Sequence, residues 1–367
     1  MNPLEKFLDY TFGDTLPEAG SSVTVAPGVK WIRMGLPFAL NHINLWLLRD
    51  EMEDPRQPGV LIQGWSVVDC CISADPSKDQ WESIFATQLE GLPILRVIVT
   101  HMHPDHVGLA HWLCERWTTP TYACLLWMSA TDYYTARNGS KGGTGFGGNA
   151  SALFFASHGL TDVESLEKIK SRTAYYPSMV PDVPASFVRL MDGKSIRIGA
   201  GENRKNWRCI SGYGHAPEHI ALHCSDLKIL ISGDMVLPRI STNVSVYDQE
   251  PEADALSLFL ESIDKFMPLA QDTLVLPSHG KPFRGLHTRI RQLHDHHRDR
   301  LAEVLDACVA SPCSAADILP IMFPRPLDLH QTTFAMGEAI AHLHKLWLEG
   351  QLLRTLQLDG IYRFSAP

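Results

Sequence analysis

Long apolar runs are missing from this chain: no stretch approaches the roughly 20 uninterrupted apolar residues of a membrane-spanning helix. A surplus of positive charge is missing too. Lys and Arg number 32 against 41 Asp and Glu, a net charge of −9, which does not favour a phosphate-rich polymer as partner. Cysteine is present without a framework: eight residues at irregular spacing, with Cys70 and Cys71 adjacent and unable to pair with each other. They are expected to be reduced and mainly buried. Met1 to Lys6 contain no basic stretch leading into an apolar core, so no export signal is expected and the expected compartment is the cytoplasm. What remains is a chain of 367 residues with 45% hydrophobic content, enough for a large α/β domain with an appendage.

The densest chemistry lies at Thr100-His101-Met102-His103-Pro104-Asp105-His106, an H-x-H-x-D-H pattern. It follows Leu95-Arg96-Val97-Ile98-Val99, which reads as a buried strand. Three imidazoles and a carboxylate in six residues suit a borderline metal such as zinc, and also iron or manganese. Side chains two apart in a tight turn converge on one ion, while Asp105 and His106 can face a second. Further donors stand where other apolar runs give way to turns. His215 lies in Gly212-Tyr213-Gly214-His215-Ala216-Pro217-Glu218-His219, Asp234 follows Leu227 to Ile231, and His279 follows Thr273 to Leu276. Strand-end loops are where a rigid scaffold holds functional groups.

With Asp69 closing Ser66-Val67-Val68-Asp69, these make five ordered motifs. The chain thereby resembles the metallo-β-lactamase superfamily, the αββα hydrolases that include glyoxalase II, over roughly residues 20–285. The resemblance implies that His101, His103 and His215 hold one metal, that Asp105, His106 and His279 hold a second, and that Asp234 bridges both. Asp69 would support the ligand loop rather than touch metal. The cofactors implied are two divalent ions, zinc first, with iron or manganese as alternatives. Two cations acidify a shared water, so the expected chemistry is attack by a bridging hydroxide, with Asp105 or a metal-bound water as the source of the leaving-group proton. Tyr213 reads either as an oxyanion donor or as a packed aromatic. His219 reads as a core histidine or a supporting one, and His223 as an ordinary strand residue. Cys209 and Cys224 are not needed as ligands.

The catalytic domain is expected over residues 1–285, with an insertion at about 128–185. That insertion carries a glycine-rich stretch, Asn138 to Gly148, flanked by Tyr133, Tyr134, Phe154, Phe155, Tyr175 and Tyr176. No Gly-Lys-Ser/Thr ending makes it a phosphate loop. It reads as a loop between two helices that either walls the substrate pocket or runs over a remote surface. Residues 286–367 predict helices over Thr288 to Val309, from Ser314 through Leu319, and over Leu329 to Leu348. Two short strands flanking Asp359-Gly360 follow as a hairpin. This order resembles the small winged-helix-like domain attached to one branch of the superfamily. Residues 287–367 hold eight Lys and Arg against nine Asp and Glu, and Lys345 is the lone Lys or Arg of the third helix. Nucleic-acid binding needs clustered cations, so the expected role is packing, dimerisation or pocket shaping. The run His294-Asp295-His296-His297-Arg298 reads as a solvated helix face or a stray metal site.

The fold class expected is therefore α/β, an αββα sandwich with a helical, glycine-rich insertion and a small C-terminal domain. The function expected is dinuclear metal-dependent hydrolysis of a small ester, thioester or lactone. A metal-dependent ribonuclease or phosphodiesterase is the alternative, and an iron-dependent oxidoreductase a further one. A small molecule is the expected partner, nucleic acid and membrane are not, and a homodimer stays open.

Overall fold

Alternation of large apolar side chains along the first strands decides the architecture. Strand β1 (Val23–Ala26) leads into β2 (Val29–Gly35) and β3 (His42–Glu53). In β2 and β3 the residues Trp31, Trp46 and Leu48 face one way while Ile32, Leu45 and Leu47 face the other, the period of two that a strand imposes. Both sets are buried, so both faces of this sheet must be covered. The protein's computed structural model, which describes residues 3–142 and 147–367, shows how.

The sheet continues through β4 (Leu61–Val68), β5 (Ile94–Ile98), β6 (Leu125–Met128) and β7 (Phe187–Arg189), seven strands in sequence order. Pairing is antiparallel up to β4 and parallel from β4 to β7. Parallel neighbours need crossovers, supplied by α1 (Asp75–Thr87), the single turn α2 (Pro104–Val107), α3 (Ala110–Trp117), α4 (Ala130–Gly139), α5 (Asn149–Ser157), α6 (Val163–Ser171) and α7 (Tyr175–Met179). Trp81 and Ile84 of α1 and Leu113 of α3 pack on Trp65 and Val97 of the outer face. The second sheet holds β8 (Ser195–Ile198), β9 (Lys205–Gly212), β10 (His219–Cys224), β11 (Ile229–Gly233) and β12 (Leu274–Pro277), in the order β12-β11-β10-β9-β8. Its Trp207, Ile220, Leu222 and Ile231 meet Trp31, Trp46 and Ile98 to form the layer between the sheets. The result is the αββα sandwich expected from the sequence. Trp31 and Trp46 face each other across β2 and β3 with ring centroids 6.3 Å apart, and truncating either to Ala would cost about 3–5 kcal/mol.

The outer face of the second sheet is covered by α8 (Ala255–Asp264) and by the C-terminal elements. These are α9 (Leu286–Ala310), α10 (Ala315–Met322), α11 (Leu329–Leu348), and the hairpin of β13 (Leu353–Leu356) with β14 (Tyr362–Ser365). Ser314 and Asp328 begin α10 and α11 with reciprocal capping boxes, each worth about 1 kcal/mol. One apolar cluster runs from Ala221 and Leu230 of the sheet through Phe259 to Ile290, Ile340 and Phe364. The C-terminal helices are thus packed on the sandwich through a shared core.

The insertion is helical on both sides of its glycine-rich stretch, with α4 before and α5 after it. Gly143, Thr144, Gly145 and Phe146 lie outside the described residues. Among the described residues no helix is long and apolar enough to cross a membrane. All eight cysteines are free and buried.

Candidate metal centre

The ends of four strands bring the predicted donors together. After β5 the chain turns through Thr100, and Pro104, which lacks an N–H to leave unpaired, opens the single turn α2. His101 and His103 precede that turn; Asp105 and His106 lie within it and face another way. His215 stands between β9 and β10, Asp234 follows β11, and His279 follows β12. Gly233, one residue before Asp234, has φ +54°, and a Cβ there would sit 2.1 Å from His219 Nε2. Only glycine fits both the backbone and the space.

Two groups of donors result: His101, His103, His215 and Asp234 in one, Asp105, His106 and His279 in the other. His101 Nε2 lies 2.9 Å from His103 Nδ1 and 3.2 Å from His215 Nε2. In the second group Asp105 Oδ2 is 3.7 Å from His106 Nε2 and 3.4 Å from His279 Nε2. Asp234 spans the two, with Oδ2 3.5 Å from His215 Nε2 and Oδ1 3.6 and 3.5 Å from His106 and His279. Four donors held about 2.0–2.1 Å from one ion stand about 3.3 Å from one another, close to these separations. His106 Nε2 and Asp234 Oδ1 are buried without a hydrogen-bond partner, a costly state for polar atoms unless a cation faces them. The donor set therefore fits divalent metal.

Neighbours fix which nitrogen each ring presents. His106 Nδ1 donates to Asp69 Oδ2 at 2.8 Å, His215 Nδ1 to the Asn243 carbonyl at 2.7 Å, and His279 Nδ1 to the His42 carbonyl at 2.7 Å. Each then turns its Nε2 inward. Asp69, at the end of β4 with φ +62°, also accepts from Thr100 N–H at 2.8 Å and Thr100 Oγ1–H at 2.9 Å. It braces the loop that carries His101 to His106 and belongs to neither donor group. His219 is buried and accepts from Asp234 N–H at 3.3 Å, so it is a core histidine that also steadies Asp234.

Charge separates the two groups. Burial pushes His101 well below the ordinary imidazole range and His103 down to about 3, leaving neutral lone pairs. Around the second group burial opposes every charge, yet the facing opposite charges prevail. His106 and His279 hold Asp105 at about 2, and Asp234 with Asp105 holds His279 up at about 10. Protons on these imidazoles stand where a second cation would otherwise balance the carboxylates.

A cavity of about 700 Å³ opens in front of this cluster. His103, Asp105, His215, Asp234 and His279 form its floor. Its walls come from three separate parts of the chain: Phe38 between β2 and β3, Tyr175 and Met179 of the insertion, and Phe323, His330 and Phe334 of the C-terminal helices. These walls meet at His330, whose ring lies 6.0 Å from Phe38, 5.7 Å from Tyr175 and 4.9 Å from Phe334.

The structure also decides between readings that were open. Tyr213 is packed, with its hydroxyl 3.2 Å from Ser211 Oγ and Lys265 over its ring; it does not border the cavity. Of the six aromatic residues flanking the glycine-rich stretch, Tyr175 alone borders this cavity. Phe154 and Phe155 join the C-terminal core, and Tyr133 stacks on Phe187. The His294 to Arg298 run is neither a metal group nor wholly solvated, because His297 turns inward to His342 at 3.3 Å.

Sequence reading missed Asp132 altogether. In the first turn of α4 it takes the Met102 N–H at 2.7 Å and the Glu218 N–H at 2.6 Å, clasping the loops of His101 and His215 together. Burial pushes its carboxyl up to about 6 against those bonds. Asn44 was missed likewise: it donates to the Pro277 and Gly280 carbonyls and so shapes the turn of His279.

Comparison with known proteins follows the same lines. The profile described as Metallo-beta-lactamase superfamily matches residues 60–185, and that described as Metallo-beta-lactamase-like, C-terminal domain matches residues 301–367. A crystal structure of a Beta-lactamase domain protein from Burkholderia ambifaria is 52% identical, with full coverage of both chains and a TM-score of 0.91. A metallo-beta-lactamase family protein from Thermus thermophilus is 25% identical over 94% of this chain and all of its own, with a TM-score of 0.73. Among curated proteins, the "Probable metallo-hydrolase YqjP" of Bacillus subtilis is 22% identical over 346 residues, 90% of this chain and 96% of that one.

Proposed function

From the premise that this chain belongs to the metallo-β-lactamase superfamily, we propose that it is a dinuclear metal-dependent hydrolase of a small ester, thioester or lactone. The observation that carries this reading is the Asp234 carboxylate, whose two oxygens face the two donor groups separately. His101, His103 and His215 would hold one ion, Asp105, His106 and His279 the other, with Asp234 between them. Imidazole-rich mixed N/O donors favour zinc. When bound, such ions supply Lewis acidity, acidifying water and polarising the scissile carbonyl.

The chain's own residues do the rest. Asp105 is the more exposed carboxylate of the site, 18% against 10% for Asp234, and it borders the cavity. Facing His106 and His279 as a carboxylate, it starts as a base. It takes the proton of the water that bonds to the carbonyl carbon. It then returns that proton to the leaving oxygen or sulfur as the acyl bond breaks. Phe38, Met179 and Phe334 offer the apolar contacts that a small acyl or aryl group needs, and a cavity of about 700 Å³ lies within the usual small-molecule range. The C-terminal helices act here as pocket wall, and the eight buried thiols suit a reducing, cytoplasmic setting.

The test is elemental analysis of protein purified without added metal, with turnover of a thioester, an aryl ester, a lactone and a phosphodiester measured on the same sample. About two zinc ions per chain, with ester or thioester turnover that His103→Ala and Asp105→Ala abolish, is the expected result. Undiminished turnover in both variants refutes the mechanism, and turnover confined to the phosphodiester replaces the reading with a nuclease.

A further inference from the structure

The cavity wall is mostly apolar, yet two guanidinium groups open onto it. Arg172 stands at the end of α6, with Nη2 3.3 Å from His330 Nδ1 and its guanidinium 4.9 Å from the Tyr175 ring centroid. Arg325 lies between α10 and α11 and donates to Gln331 Oε1 at 3.1 Å. Both border the cavity that holds His103 and Asp105. Their hydrogen bonds go to neutral acceptors on adjacent residues of α11, His330 and Gln331, rather than to carboxylates. The acid beside them, Asp328, is engaged in capping α11 through the Gln331 N–H. Glu338, deeper in the wall, is bonded to Asn243 Nδ2 at 3.3 Å.

Two guanidiniums facing an apolar cavity and bonded to neutral atoms are a receptor for an anion. The chain as a whole is acidic at −9, so its overall charge does not draw anions to this mouth; these two side chains must. Arg172 belongs to the insertion and Arg325 to the C-terminal elements, so neither is part of the sandwich that carries the donors. We propose that the substrate is amphipathic: an apolar segment along Phe38 and Phe334 links the hydrolysed bond to a carboxylate or phosphate bound by Arg172 and Arg325. This rests on the hydrolase reading for the bond that is cut, but not for the anion itself.

Binding separates the two. Calorimetry on the metal-loaded protein would compare 6-(phenylthio)hexanoate with 6-(phenylthio)hexan-1-ol, thioethers with no bond to hydrolyse that differ in one anionic terminus. The carboxylate should bind about tenfold tighter or more, the range for a hydrogen bond to a charged group. Arg172→Gln/Arg325→Gln should remove that advantage while alcohol affinity and metal content stay unchanged. The single variant Arg325→Gln, at an exposed residue, should lose part of the preference with no effect on folding. Equal affinity for the two ligands overturns the proposal. So does a carboxylate preference that survives in the double variant, which would mark the anion as seated on the metal ions. The matching pair of thioesters, hexanoate and adipate, is assayed alongside. An anion preference in binding without thioester turnover would leave this inference standing and remove the hydrolase reading. Turnover of both thioesters at equal kcat/KM, with equal binding of the thioethers, would do the reverse.

Discussion

Asp69→Asn tests the support of the centre without touching a proposed ligand. Asp69 lies in the left-handed region at φ +62°, where Asn is tolerated and Ala is strained, so the backbone is preserved. The carboxylate accepts three hydrogen bonds, from Thr100 N–H, Thr100 Oγ1–H and His106 Nδ1–H. An amide has one oxygen to offer. If that oxygen keeps the Thr100 N–H, the NH₂ faces His106 Nδ1 and turns the ring into the tautomer with its proton on Nε2. The lone pair then points away from the cation position. Loss of such an orienting partner lowers metal affinity about 10–100-fold, which is about 1.4–2.7 kcal/mol. The loss should fall on one ion. Of the first group, His101 approaches Asp69 through Thr100, whose Oγ1 lies 3.1 Å from His101 Nδ1. Elemental analysis after dialysis, with chelator competition for the affinities, should therefore find one ion retained and the other weakened. Nitrogen NMR of the imidazoles should show the His106 tautomer reversed. Two ions at wild-type affinity would refute the reasoning.

Asp132→Ala leaves the buried Met102 N–H and the half-buried Glu218 N–H without their acceptor. At about 1–3 kcal/mol for each unsatisfied group, thermal unfolding should move down by several degrees and metal content should fall; an unshifted transition would contradict the clasp. Burial pushes Glu338 up to about 7, above its ordinary value near 4.5. A carboxyl raised on folding contributes stability that is present below the unfolded value and is lost as pH rises toward the folded one. Glu338→Gln should therefore match wild type at about pH 4 and exceed it above about pH 7.5, by about 1–2 kcal/mol once water in the cavity is allowed for. Denaturant titrations at both pH values check this, and a difference independent of pH would count against it.

The site was legible because its donors cluster where strands end. His101 to His106 is local, and His215, Asp234 and His279 each follow an apolar run, so order along the chain carried the signal. The helices of the C-terminal elements were legible for a similar local reason: Ser314 is a capping residue read from a few neighbours. The cavity wall was not legible. Phe38, Tyr175 and His330 meet only through folding, and none differs locally from an ordinary packed or surface aromatic. Asp132 reads as a residue in the first turn of a helix; its bonds to backbone 30 and 86 positions away leave no trace nearby. His297 shows the converse, a polar run judged by composition when one turn of helix phase sends one of its members inward.

The two sheets each hold an incomplete share of the donors. Four come from the loop after β5, and three from the second sheet, joined to the first through the single passage between β7 and β8. Neither sheet alone encloses an ion position, so a cation bound between them acts as a clamp across the sandwich. Ligation would raise the free energy of separating the sheets by RT ln(1 + [L]/Kd). The ion's dissociation constant thereby becomes a gauge of docking: any substitution that loosens the layer between the sheets, however far from the histidines, should register as weaker metal binding before the fold is lost.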